Sequence, residues 1–246
     1  MRIPHSRKRF FFMLFALLTC SAVSLSQENA APLSGTAPQA QQILFADDFK
    51  HGLSNWSIEL EKPGHVEAIN GVLDIDVPAG ATLWFKTKLQ GPLLIEYHAK
   101  VIAQGGPNDR VSDLNCFWMA TDSRTPDDLF ASPRHGSFAE YNSLLTYYVG
   151  LGGNGNTTTR FRRYIGSAKD RPLLPQNDLS DASNLITPNR ADLIQLFAQD
   201  NSIYYSRNSQ RIFHYQDAQP YTSGWFALRT TKNHMQITDF KVYRLR

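Results

Sequence analysis

Val66-Glu67-Ala68-Ile69-Asn70-Gly71-Val72-Leu73-Asp74-Ile75-Asp76-Val77 is the stretch that decides the fold class. Two short runs flank Asn70-Gly71, a dipeptide that accepts the positive φ a two-residue hairpin turn demands. In the second run Leu73, Ile75 and Val77 alternate with Asp74 and Asp76, the pattern of a strand with one face in a core and one in water. The stretch predicts a β-hairpin.

The same grammar recurs outward, over residues 82–87, 93–102, 114–121, 144–150, 158–165, 192–199, 202–208, 210–215, 224–230 and 235–245, with Gly, Pro and Asn at many of the breaks. No helical hydrophobic period outlasts a turn or two, and helix is expected only around 137–142. Many short strands joined by turns predict an all-β sandwich of two antiparallel sheets, a jelly roll, in a single domain of about 200 residues over 42–246.

The start of the chain reads differently. Arg2, Arg7, Lys8 and Arg9 precede an apolar run over 10–18 and then small residues, the layout of a secretory signal peptide over 1–26. The apolar run is shorter than the roughly 20 residues of a membrane-spanning helix. Leu17-Leu18-Thr19-Cys20 resembles a bacterial lipoprotein box, with threonine where such boxes carry Gly, Ala or Ser. A membrane contact is therefore expected only if Cys20 is lipidated. Residues 27–41, rich in Ala, Gln, Ser and Pro, read as a flexible linker. The protein is expected to be exported, periplasmic or extracellular, and monomeric.

Residues 1–26 hold four of the 25 basic residues and none of the 22 acidic ones, leaving 21 basic against 22 acidic and a net charge of −1. No global basic field draws nucleic acid. With Cys20 gone or lipidated, Cys116 is the one thiol, so no internal disulfide is expected. Its apolar neighbours make it a buried structural cysteine.

Local chemistry concentrates in NSLLTYYVGLGGNGNTTTRFRRYIG, residues 142–166. By strand parity Arg160 and Arg162 share a face with Thr158 and Tyr164, while Phe161, Arg163 and Ile165 point the other way. Paired arginines suit a carboxylate ligand, which a guanidinium grips bidentately. The alternative is an ordinary exposed face with surface salt bridges. Asp113 and Asn115 share a face with Phe117 and are candidate ligand contacts, whereas Trp118 falls on the core side. Glu96, His98 and Lys100 form a polar strand face that meets water. His135, in a loop near Glu140 and Tyr141, is a candidate general base. Tyr147 and Tyr148 point to opposite faces, so one of them reaches a ligand. Asp47, Asp48 and Asp239 are either turn caps or ligands of a structural calcium; no other cofactor and no catalytic metal is expected. Gly-x-Ser-x-Gly, His-Glu-x-x-His and Walker motifs are absent.

The opening Leu44-Phe45-Ala46-Asp47-Asp48-Phe49 with Gly52-Leu53-Ser54-Asn55-Trp56, and the closing Gly224-Trp225-Phe226-Ala227-Leu228-Arg229 with Asp239-Phe240-Lys241-Val242-Tyr243, resemble the terminal strands of concanavalin-like (laminin-G-like) jelly rolls. In those folds the first and last strands pair. The phrases over 113–118 and 158–164 resemble an uncharacterised bacterial family near the YesU-like proteins. That resemblance implies a secreted protein of polysaccharide use, often on uronate-containing glycans, and carries over no catalytic residue.

Together these readings lead to a protein acting on an acidic polysaccharide or oligosaccharide by β-elimination. Arg160, Arg162 and Asn115 would neutralise the uronate, with Asp113 and Tyr164 as further contacts. His135, Tyr141 and Tyr147 would move the protons. The alternatives are a non-catalytic glycan-binding module, and hydrolysis or elimination on small oxidised sugars.

Overall fold

The structure of the protein, a computed structural model, describes residues 40–246. The expected signal peptide, Cys20 and the linker up to residue 39 lie outside the described residues. In chain order the strands are β1 (Ala40–Asp47), β2 (Trp56–Leu60), β3 (His65–Ile69), β4 (Val72–Val77), β5 (Ala81–Phe85), β6 (Leu89–Gln90), β7 (Leu93–Val101) and β8 (Leu114–Asp122). They continue as β9 (Leu144–Gly152), β10 (Thr158–Ile165), β11 (Asp178–Leu179), β12 (Asp192–Gln199), β13 (Ser202–Arg207), β14 (Gln210–Gln216), β15 (Ser223–Thr230) and β16 (Asn233–Leu245). The expected turn of helix is a 3-10 turn over Phe138–Tyr141.

These strands form two antiparallel sheets of eight. The first runs β14-β13-β12-β7-β16-β4-β3 with β1 alongside β16, and the second β11-β10-β9-β8-β15-β5-β2 with β6 alongside β15. The β3–β4 hairpin turns on Asn70 and Gly71, with φ of 52° and 82°, as its sequence demands. The first and last strands pair, Asp47 opposite Phe240.

Alternation fills the space between the sheets. Leu73, Ile75 and Val77 of β4 and Ile95 and Tyr97 of β7 meet Cys116, Trp118, Tyr147, Val149 and Phe161 from the second sheet, all buried. A large apolar side chain fully removed from water contributes about 1.5–3 kcal/mol, so this layer dominates the stability. Burial pushes the Cys116 thiol up to about 12, which keeps it inert.

The opposite face of the second sheet is also largely dry. Trp84, Phe117, Tyr148 and Tyr164 form a second apolar cluster, closed by Leu129 and Tyr141 from the segment joining β8 to β9. Burial on both faces explains why β5, β8, β9 and β15 read as nearly continuous apolar runs. Polar anchors hold the covering segment. The buried Arg134 bridges Asp122 at 3.0 Å and Glu59 at 3.3 Å. Glu59 also accepts hydrogen bonds from Trp84 (3.0 Å) and Tyr141 (2.7 Å). At Gly136, φ is 85° and a Cβ would collide with the Glu61 amide and the Gly80 carbonyl, so only glycine lets the segment lie this close to the sheet.

Candidate functional site

Where the covering segment ends, the outer face of β8, β9 and β10 is left open as a cavity of about 310 Å³. This volume is at the small end of ligand sites. Its floor comes from strand parity: Asn115 from β8, Tyr148 and Gly150 from β9, and Arg160 and Arg162 from β10. Phe138 of the covering segment, Arg171 of the loop after β10, Thr231 after β15 and the tight turn at Asn154 form the rim. Arg162 stands directly across from Tyr148 and Arg160 from Gly150, which puts these side chains on one face. A Cβ on Gly150 would lie 2.8 Å from the Tyr148 hydroxyl, so glycine makes room for that phenol.

The polar groups differ in how fully they are engaged. Asp113, in the left-handed region with φ of 57°, accepts from Ser112 and Thr231 at 2.7 Å each and pairs with Arg110 at 3.2 Å. Its charge is thus compensated in place. Arg160 is held bidentately by Asp178. Arg162 donates only to the Arg171 carbonyl, and among the described residues neither Arg162 nor Arg171 has a carboxylate within ion-pair distance. Burial lowers the Arg162 pKa, and the neighbouring Arg171 and Arg160 charges work in the same direction against Tyr164. The Arg171 guanidinium lies 5.1 Å from the Phe138 ring and 6.0 Å from that of Tyr164.

Of the residues singled out by sequence, the structure brings Asp113, Asn115, Arg160 and Arg162 to this cavity. Tyr164 lies beneath it on the same face, buried to 1 %, its hydroxyl without a partner. The three proton-transfer candidates are elsewhere, which corrects the expected arrangement. Tyr147 lies between the sheets, where its phenol donates to Asp217 at 2.7 Å and accepts from the Tyr221 amide at 3.0 Å. Burial and the Asp217 bond raise its pKa far above the usual phenol range. Tyr141 packs under the covering segment with its phenol on Glu59, and burial raises its pKa as well. His135 is 78 % exposed, 3.2 Å from Glu140, and does not line the cavity. The cavity's tyrosine is Tyr148, the other of the pair, and the residues missed by sequence reading are Phe138, Arg171 and Thr231.

Other expected positions make local bonds. Trp118 is in the core, and His98 of the polar β7 face stands 3.6 Å from Asp239. Asp47 caps the Phe49 amide and accepts from Asn55 and Trp56, while Asp48 pairs with Lys50. Among the described residues no three His, Cys, Asp or Glu side chains gather as a metal site.

Residues 75–240, which contain the whole cavity, match the family described as Domain of unknown function (DUF6250). No curated protein matches the chain. Several solved structures share the fold. A protein of unknown function with galectin-like fold from Bacillus subtilis superposes with a TM-score of 0.67 at 16 % identity, covering 85 % of this chain and 99 % of its own. The carbohydrate-binding module CBM66 from Bacillus subtilis gives 0.53 at 8 % identity, over 78 % of this chain and 96 % of its own. A LamA variant from Z. galactanivorans, in complex with laminaritriose and laminaritetraose, gives 0.56 at 10 % identity, over 84 % and 100 %. At such identities the likeness establishes the fold, a galectin-like jelly roll, and nothing finer.

Proposed function

The chain belongs to the DUF6250 family, and from that premise we propose that its jelly roll binds the acidic end of a uronate-containing saccharide in the cavity over β8, β9 and β10. The observation that carries this reading is the pair Arg162 and Arg171, two cations on the cavity wall without a carboxylate partner among the described residues, beside the aromatic face of Tyr148. A sugar needs aromatic surface and fixed polar groups, and a uronate adds the charge that this wall lacks. Jelly rolls with saccharide ligands or saccharide-binding names among the structural neighbours support a glycan as the ligand class. The resemblance to YesU-like proteins, which rests on sequence phrases alone, points the same way, and the leader-like start supports a place outside the cytoplasm.

Binding is favoured over cleavage by what lines the cavity. Hydrolysis by the usual route needs two carboxylates flanking one bond, and Asp113 is the one carboxylate on this lining. Elimination needs a base, but burial holds the Tyr148 phenol well above its ordinary pKa, so it stays protonated at neutral pH. Tyr148 can still give a proton to a leaving oxygen, and elimination with Tyr148 as the acid and the Asp113 carboxylate taking the proton from C5 is the second reading. Electrophoresis of the protein through gels cast with uronate-containing or neutral polysaccharide tests the proposal. Retardation by the acidic polymers alone, abolished in Arg162→Ala, is the expected result; equal mobility in all gels overturns it.

A further inference from the structure

Arg229, on β15, sits on the outer face of the second sheet and is only 1 % exposed. Its Nη1 donates to Thr82 Oγ1 at 2.6 Å and to the Gly136 carbonyl at 3.1 Å. Its Nε and Nη2 have no partner, and among the described residues no carboxylate pairs with it. A buried cation with unmade hydrogen bonds is strongly unfavourable unless something supplies the missing charge. Directly across the β8–β15 pairing stands Asn115, which lines the cavity, is 3 % exposed and leaves its Oδ1 without a donor. Two orphaned donors and one orphaned acceptor thus lie on opposed residues. Asp113 does not fill the gap: its Oδ2 takes Ser112, Thr231 and Arg110, its Oδ1 accepts from Asn115 Nδ2 at 3.4 Å, and among the described residues it makes no ion pair with Arg229.

We propose that Arg229 and Asn115 form the deep end of the saccharide cavity and select a terminal uronate. Arg229 Nε and Nη2 hold the carboxylate, and Asn115 Oδ1 accepts a hydrogen bond from the hydroxyl on the adjacent ring carbon. The inference rests on the acidic-saccharide reading of the cavity and narrows it. In a hexuronate the carboxylate and the C4 hydroxyl are neighbours; in a 4-linked internal residue that oxygen is glycosidic and has no proton to give. The orphaned acceptor therefore favours a free end.

Phe138 is the removable wall. Its ring lies 4.9 Å from the Arg229 guanidinium and 5.1 Å from that of Arg171, in contact with both the buried cation and the open one. The faces of Phe138 and Tyr141, the latter at 4.5 Å, give the Arg229 cation its nearest favourable electrostatic contacts. A carboxylate that reaches Arg229 displaces Phe138 and replaces this weaker attraction.

The test is calorimetric titration of the protein and of its Arg229→Gln and Phe138→Ala variants with methyl glucuronoside, its 4-O-methyl ether and methyl glucoside, folding being followed by thermal melting. Arg229→Gln is expected to weaken the glucuronoside at least about thirtyfold. The 4-O-methyl ether is expected to bind the unaltered protein about tenfold more weakly than the free sugar, and Phe138→Ala to bind the glucuronoside more tightly. Should Arg229→Gln fail to fold, the ether and Phe138→Ala decide alone. Wild-type affinity in a folded Arg229→Gln, or an ether that binds as well as the free sugar, or weaker binding by Phe138→Ala, overturns this inference while leaving the cavity an acidic-saccharide site. Failure of the unaltered protein to bind the acidic polymers of the gel assay overturns that broader reading.

Discussion

Arg160 and Asp178 face each other across β10 and β11 and share two hydrogen bonds, 2.8 and 3.1 Å long. The side-on edge of the guanidinium, Nε with Nη2, is taken and its charge is paired. Arg162, two residues on and on the same face, has no such partner, so of the two arginines placed together by alternation, Arg162 is the one left for a ligand.

Arg162→Ala is therefore expected to weaken binding of an acidic saccharide by about tenfold or more, and Arg160→Ala by less. Asp178→Asn, which releases Arg160, is expected to strengthen it. Titration calorimetry ranks the three variants; a larger loss in Arg160→Ala than in Arg162→Ala contradicts this division of roles.

Tyr147→Phe separates the binding reading from the sequence-based catalytic one. The phenol bonds Asp217 and the Tyr221 amide inside the sandwich. Its removal leaves the buried Asp217 with one donor fewer and is expected to lower unfolding free energy by about 1–3 kcal/mol. Saccharide affinity should stay near that of the unaltered protein. Urea unfolding and titration on the same sample read both; a loss of affinity with unchanged stability would return Tyr147 to the site.

Arg134 holds the covering segment to the sheet. Arg134→Ala leaves Asp122 and Glu59 buried without their shared cation, and a buried ion pair broken on one side costs about 3–5 kcal/mol. The expected consequence is a large drop in urea midpoint with loss of the near-ultraviolet circular dichroism of Trp84 and Tyr141. A small change in midpoint would mean that apolar packing alone keeps the segment in place.

His234 lies between Asp109, 3.1 Å from its Nδ1, and Asp74, 3.2 Å from its Nε2. Burial works to lower its pKa, but the hydrogen bonds to Asp74 and Asp109 outweigh it and the net shift is upward. A raised folded-state pKa means that the imidazolium stabilises the fold fully below the unfolded histidine value of about 6.5, and that this contribution disappears as pH rises through the folded value. The melting-temperature gap between the unaltered protein and His234→Gln is thus expected to be widest near pH 5.5 and to narrow steadily above about 6.5. A gap that widens with rising pH contradicts the assignment.

Most of the fold was legible because it is written locally. Asn70-Gly71 set a turn, and the alternation in 72–77 and 158–165 set the faces, each needing only near neighbours. The covering segment between β8 and β9 was not legible as a lid. Its anchor runs from Arg134 to Glu59, residues whose meeting depends on the finished sheet order. The same limit hid Thr231, which reaches the cavity from a loop far away in sequence, and Arg229 on β15; Arg171, in the loop after β10, has no strand parity to place it. Tyr148 is a different case. A hairpin folded about the glycine-rich turn sets Tyr148 opposite Arg162, so the signal for choosing it over Tyr147 was present in the register. Parity alone told the two tyrosines apart without saying which side held the ligand.

The most direct test of the central claim is titration of the protein with a uronate oligosaccharide and with its neutral counterpart of equal length, while ultraviolet absorbance is watched for an unsaturated uronate. The account predicts saturable binding of the acidic oligosaccharide, at least about tenfold tighter than the neutral one, with no absorbance rise. Equal affinity for the two, or no binding of either, would contradict it; an absorbance rise would establish elimination in place of simple binding.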